Sequence, residues 1–173
     1  MFVQIVAPST AAAVTAEPAD CLRSFVFDAN LAAQEASGDP AASSSPRRVL
    51  QRLQGSTESR TLLFGLTDSA LGKAGELGLP VISAAEPSPE IDFDGFIHIS
   101  LPLLEETDNA DIECVLAADL LPLPGEELEP EALEVTRTLA GEALRLARKL
   151  GRRTVQVGML YPPDADFHYD PMS

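Results

Sequence analysis

Hydrophobic positions recur along this chain with two periods, and the switches between them mark out its elements. Phe2 to Ala7 (FVQIVA) alternates weakly and stops at Pro8, which predicts a short first strand. After Pro18, with Asp20 as a candidate N-cap, apolar residues recur every three or four positions. Leu22, Phe25, Val26, Ala29, Ala32 or Ala33 and Ala36 predict a helix that Gly38-Asp39-Pro40 ends. Pro46 opens a second, shorter helix, RRVLQRLQ, closed by Gly55. Thr61 to Leu66 (TLLFGL) is a compact apolar run and predicts a central strand.

From Thr67 to Asp94 no period holds. Gly72, Gly75, Gly78, Pro80, Pro87 and Pro89 predict a long loop around the apolar insert LGLPVISAA. Alternation then resumes, with Phe96, His98 and Ser100 on one side of a strand and Ile97, Ile99 and Leu101 on the other. Asp108-Asn109 suits a turn, so DIECVLAADL should return as the antiparallel neighbour.

The clearest element follows. Ala132, Val135, Leu139, Ala143, Leu146 and Leu150 form the apolar stripe of a long helix, with Pro130 near its first turn and Gly151 at its end. Glu129, Glu131 and Glu134 lie at its positive end; Arg145, Arg148 and Lys149 lie at its negative end. Gly151-Arg152-Arg153 leads directly into TVQVGML, a last strand, and no period follows Tyr161. The predicted order is β-α-α-β-loop-β-β-α-β, an α/β (α+β) domain over residues 1–161. Residues 67–94 form its irregular insert and 162–173 a tail.

Composition narrows the function classes. The 173 residues are 45% hydrophobic with a mean hydropathy of +0.05, enough for a sizeable core. No run approaches the roughly 20 apolar residues of a membrane span, and the N-terminal stretch lacks the basic start of a secretory leader. Twenty-seven acids against 12 bases give a formal charge of −15, which repels nucleic acid and anionic membrane and attracts basic partners such as polyamines or peptide amines. Its simplest role is solubility. Arg47, Arg48 and Arg52 are the only basic cluster before the long helix, and read as a solvated helix face. Cys21 and Cys114 have no metal or redox spacing, so buried thiols in a reducing cytoplasm are expected. The sequence carries no Ser-His-Asp arrangement, HExxH or Walker loop, and no metal site is expected.

This order, together with FDGFIHISLPLLEETDNADIECVLAADL and the junction ARKLGRRTVQV, resembles the GNAT superfamily of acyl-CoA-dependent N-acetyltransferases. ASGDP, the Pro46 helix and RTLLFGL fit as well, so the likeness runs from about Phe25 to Val157. It implies a mixed, mostly antiparallel sheet, β-α-α-β-β-β-α-β, whose family continuation past the fifth strand is absent here. It also implies that this fourth strand splays from the fifth, freeing backbone groups for a pantetheine arm at Cys114, Val115 and Leu116. The family's pyrophosphate loop, patterned Arg/Gln-x-x-Gly-x-Gly/Ala, maps onto EALEVT, which puts Glu131 at the basic position and Glu134 and Thr136 at the glycine positions. Glycine is needed there because a Cβ blocks the approach of backbone N–H groups to phosphate.

An acetyltransferase needs a base for the incoming ammonium and an acid for the thiolate. Glu113 is the base candidate by position, against the simpler reading of a solvent-facing strand carboxylate. His98, on the preceding strand, is a candidate able to titrate near neutrality, against the simpler reading of a satisfied or exposed strand histidine. Tyr161, His168 and Tyr169 near the end have no general-acid context. The leading expectation is a GNAT-like domain degenerate in acetyl-CoA binding, acting as a structural or regulatory half. A second domain or subunit, a further copy of the chain included, would complete its sheet. The alternative is an active acetyl-CoA-dependent N-acetyltransferase on a small amine or peptide amine. A third reading is an unrelated acidic interaction module, which a sheet without the splay would favour.

Overall fold

The computed structural model describes residues 2–7, 17–37, 45–55, 58–68, 75, 77–85, 91–104, 107–120, 126–127 and 129–160. Tyr161, His168 and Tyr169 lie outside them. The elements in chain order are β1 (Phe2–Val6), α1 (Asp20–Ser37), α2 (Pro46–Leu53), β2 (Ser59–Leu66), β3 (Val81–Ser83), β4 (Gly95–Pro102), β5 (Asn109–Leu116), α3 (Pro130–Lys149) and β6 (Thr154–Leu160), with a 3-10 turn at Ala118–Leu120. The class is α+β: among the described residues there is one six-stranded sheet in the order β3-β1-β2-β4-β5-β6, mostly antiparallel, with three helices. The β1–β2, β2–β4 and β4–β5 pairs are antiparallel, and the flanking β1–β3 and β5–β6 pairs are parallel.

Alternation along the strands divides the core between two sheet faces. Ile97, Ile99 and Leu101 of β4 join Phe64, Ile112 and Cys114 beneath the α3 stripe of Ala132, Leu139, Ala143 and Leu146. Phe96 and Val115 point the other way, with Leu63, Val3 and Ile5, and are covered by Leu22, Phe25 and Val26 of α1 and Val49 and Leu50 of α2. Both faces are covered along β2, which explains its nearly continuous apolar run, whereas the first part of β5 alternates and leaves Asp111 and Glu113 exposed.

α3 ends as its sequence predicts. Gly151 takes φ +77°, its N–H reaches Arg148 O at 3.0 Å, and Arg152 N–H reaches Ala147 O at 3.0 Å, the paired bonds of a Schellman motif. The next side chain does structural work. Arg152 Nη1 donates to the carbonyls of Pro102 at 2.9 Å, Thr107, and Asn109 at 3.3 Å, while the Arg153 and Thr154 N–H groups reach Asp108 O. The glycine-arginine junction therefore fastens α3 and β6 to the β4–β5 turn.

One local expectation is corrected. Asp20 is not the cap of α1: the Ala19 carbonyl accepts from Leu22 and Arg23 N–H, and Asp20 stands in the first turn, 2.7 Å from Arg23 Nη1. Within the insert at 67–94, the short strand Val81–Ser83 forms β3 in parallel pairing with Gln4, Ile5 and Val6. No helix among the described residues is long and apolar enough to cross a membrane.

Candidate functional site

Three segments meet where β4 begins and β5 ends. Asp94 N–H bonds Leu66 O at 2.8 Å and Ala117 N–H bonds Asp94 O at 3.0 Å, which draws the chain before β4 against the chain leaving β5. α1 crosses above, set by the Phe25 ring edge-on to Phe96 with centroids 5.3 Å apart. One helical turn further along α1, Asp28 Oδ1 accepts the Ala118 N–H at 3.1 Å. The space enclosed is a cavity of about 720 Å³ bordered by Asp28, Asp92, Asp94 and Asp119, with Phe27 and Arg23 at its helix side.

The cavity is acidic in its walls as well as its rim. Asp28 is only 7% exposed and its carboxyl is pushed up to about 6 by loss of water, against the pull of the Ala118 N–H; the charge of Asp119 adds to the rise. Asp94 is raised for the same first reason, with Asp68 and then Asp119 adding like charge. The cation at the site, Arg23, already bonds Asp20. Among the described residues no group of three His, Cys, Asp or Glu has a geometry that could hold a metal ion. Carboxylates spread around a volume of this size suit an extended organic cation instead, an ammonium or guanidinium that several acceptors share.

None of these aspartates stood out in the sequence. They come from positions 28, 92, 94 and 119, and no local spacing joins them. The one signal was Asp28 itself, a carboxylate flanking the apolar stripe of α1 between Phe25 and Ala29.

The expected catalytic pair is brought together, but outside this cavity. His98 of β4 and Glu113 of β5 are register partners, and both point to the α1 and α2 face. His98 stacks on Phe25 with centroids 5.8 Å apart and rings 9° from parallel. Burial first, then the charge of Arg52, lowers its imidazole to about 4. The neutral ring is favoured, which suits a satisfied strand histidine rather than a group titrating near neutrality. Glu113 is exposed.

The positions assigned to a cofactor are occupied by secondary structure. Cys114, Val115 and Leu116 are buried, and the β5–β6 ladder continues from Asn109↔Thr154 through Cys114↔Met159 to Val115↔Leu160. Glu131, Glu134 and Thr136 belong to the first two turns of α3 and not to a loop. Glu131 and Glu134 are exposed, whereas Thr136 is fully buried and donates its hydroxyl to Ala132 O at 2.8 Å. Beyond the first turn helical N–H groups are already bonded within the helix, so positions 134 and 136 have none to offer a phosphate. Glu126, Glu127, Glu129 and Glu131 are all exposed at the positive end of α3, and Glu129 makes no side-chain cap bond.

Comparison with known proteins adds nothing to this geometry: no protein-family model, no curated protein and no solved structure matches the chain.

Proposed function

We propose that the chain is a GNAT-like domain that does not hold acyl-CoA and acts as a structural or regulatory half. The order of elements supports the family part of this reading: two helices after β1, three antiparallel pairings from β1 through β5, then α3 crossing to a parallel β6. The observation that carries the loss of cofactor is the unbroken β5–β6 ladder up to Val115↔Leu160. A pantetheine arm needs backbone partners on that stretch of β5, and β6 takes them. Four exposed carboxylates at the start of α3 add repulsion. Each is about 1 kcal/mol against a unit charge 4 Å away in water and several times more at a surface dielectric, while the helix dipole offers a phosphate at most about 2 kcal/mol.

The unbroken ladder is the sheet without a splay that favours the third reading, an acidic module unrelated to the family; the order and sense of the pairings favour the family. Among the described residues β6 has one neighbour, so its other edge is where a second domain, subunit or copy would pair. Isothermal titration of the full chain with acetyl-CoA should give no heat of binding up to millimolar ligand. Micromolar binding would overturn the reading.

One observation favours the alternative, an active N-acetyltransferase. The acidic cavity lies at the end of β5 and suits the ammonium of an amine acceptor. Thiol release from acetyl-CoA across an amine panel is its test, and silence across the panel removes it.

A further inference from the structure

At the opposite end of the same sheet face, the basic cluster of α2 lies over the start of β2. Arg48, Gln51 and Arg52 from the helix, Gly55 from the turn, and Ser59 and Thr61 from the strand enclose a pocket of about 260 Å³. Thr61 shares its sheet face with Leu63, so its side chain is directed under α2. It is 7% exposed, and among the described residues its hydroxyl has no hydrogen-bond partner. A buried hydroxyl without a partner forfeits on the order of 1–3 kcal/mol, so it calls for a ligand or water in the pocket it lines.

The charges beside it are equally uncompensated. Arg48 and Arg52 stand four residues apart on one helix face, where like charges repel by a few tenths of a kcal/mol. Among the described residues neither guanidinium has an ion-pair partner, whereas the neighbouring Arg47 reaches Glu17 at 3.6 Å. In a chain with 27 acids and 12 bases, these two arginines stand together over a buried hydroxyl. The Arg52 charge is felt inside the fold, since it lowers the His98 imidazole. The acids facing this side on β5, Asp111 and Glu113, lie two strands away from β2, across Ser100 and His98, with Asp111 roughly 10 Å from Thr61.

We infer that Arg48, Arg52 and Thr61 form a binding site for a small phosphoryl oxyanion, either the free ion or the phosphate end of a small metabolite. Guanidinium groups match the oxygen edges of a phosphate and a hydroxyl completes its coordination. The pocket is large enough for the phosphoryl group with only a short attached moiety. It is separate from the acidic cavity and does not depend on the acyl-CoA reading.

The test is titration of the full chain with inorganic phosphate and, in parallel, glycerol phosphate, against chloride at matched ionic strength. His98 ring resonances provide the readout, because neutralising Arg52 should raise the pH at which that ring titrates. A saturable shift at millimolar phosphate is expected. Arg48→Gln, which leaves the Arg52 reporter in place, should weaken it about tenfold or more and Thr61→Val about threefold. Tighter binding of the ester than of phosphate assigns the metabolite source, and equal binding assigns the free ion; both support the site. No saturable shift by either ligand overturns it, as does undiminished binding in the folded Arg48→Gln variant.

Discussion

Two buried ionisable side chains, Asp28 and His98, act on stability in opposite directions. The Asp28 carboxyl is raised to about 6, so between its unfolded value and that point the folded state binds more protons. Its contribution is present at low pH and is lost as pH rises through 6. Asp28→Asn, whose amide oxygen can still accept from Ala118, should raise Tm at pH 7.5 by a few degrees, on the order of 2 kcal/mol. That gain should shrink to nothing near pH 4 in thermal melts across the range. His98 is the converse: with its folded value lowered to about 4, the unfolded chain binds more protons below 6.5. Its contribution is lost as pH falls through that window, and its ring resonances should titrate near pH 4 in the folded protein. Neither behaviour was legible in the sequence. Both arise from what α1 covers: Phe25 lies on His98, and Asp28 closes against Ala118 across 90 residues of chain.

At the scale of elements, legibility followed period and length. α3 was readable because its stripe runs through seven buried residues and is closed by Gly151. The β4–β5 hairpin was readable because Ile97, Ile99 and Leu101 alternate against Phe96 and His98. β3 was not, because three residues among glycines and prolines carry no period and pair with β1 far back in the chain. The acidic cavity was hidden for a related reason, being made by the joining of chain ends. Gly95 is an intermediate case. The sequence offers it as part of an Asp-Gly turn, but its place under α3 is tighter than a turn requires. A Cβ there would stand 2.7 Å from Leu139 Cδ1 and 2.9 Å from Val115 O. The carbonyl belongs to a paired strand and cannot move aside cheaply. Gly95→Ala should therefore destabilise by about 1–3 kcal/mol, read as a lower urea midpoint with unchanged slope.

For the whole molecule, charge is sorted rather than spread. Along the eight residues of β2, roughly 25 Å, the α1 and α2 face passes from arginines near Ser59 to aspartates near Leu66. Both thiols are sealed beneath it or behind it: burial raises Cys21 to about 11 and Cys114 to about 12. Ellman's reagent should find neither in the native protein within minutes at pH 8, and both after unfolding in guanidinium. The sheet order has a further consequence, in time rather than space. Phe2 pairs with Leu66 and Gln4 with Val81, so the first strand made has no partner until much of the chain exists. At about 5–20 residues per second on the ribosome, β1 waits several seconds for β2, with its apolar residues uncovered. The hairpin of β4 and β5, by contrast, closes as soon as it emerges. Of the strands described, β1 is therefore the one left longest without a partner during synthesis and the one most exposed to aggregation.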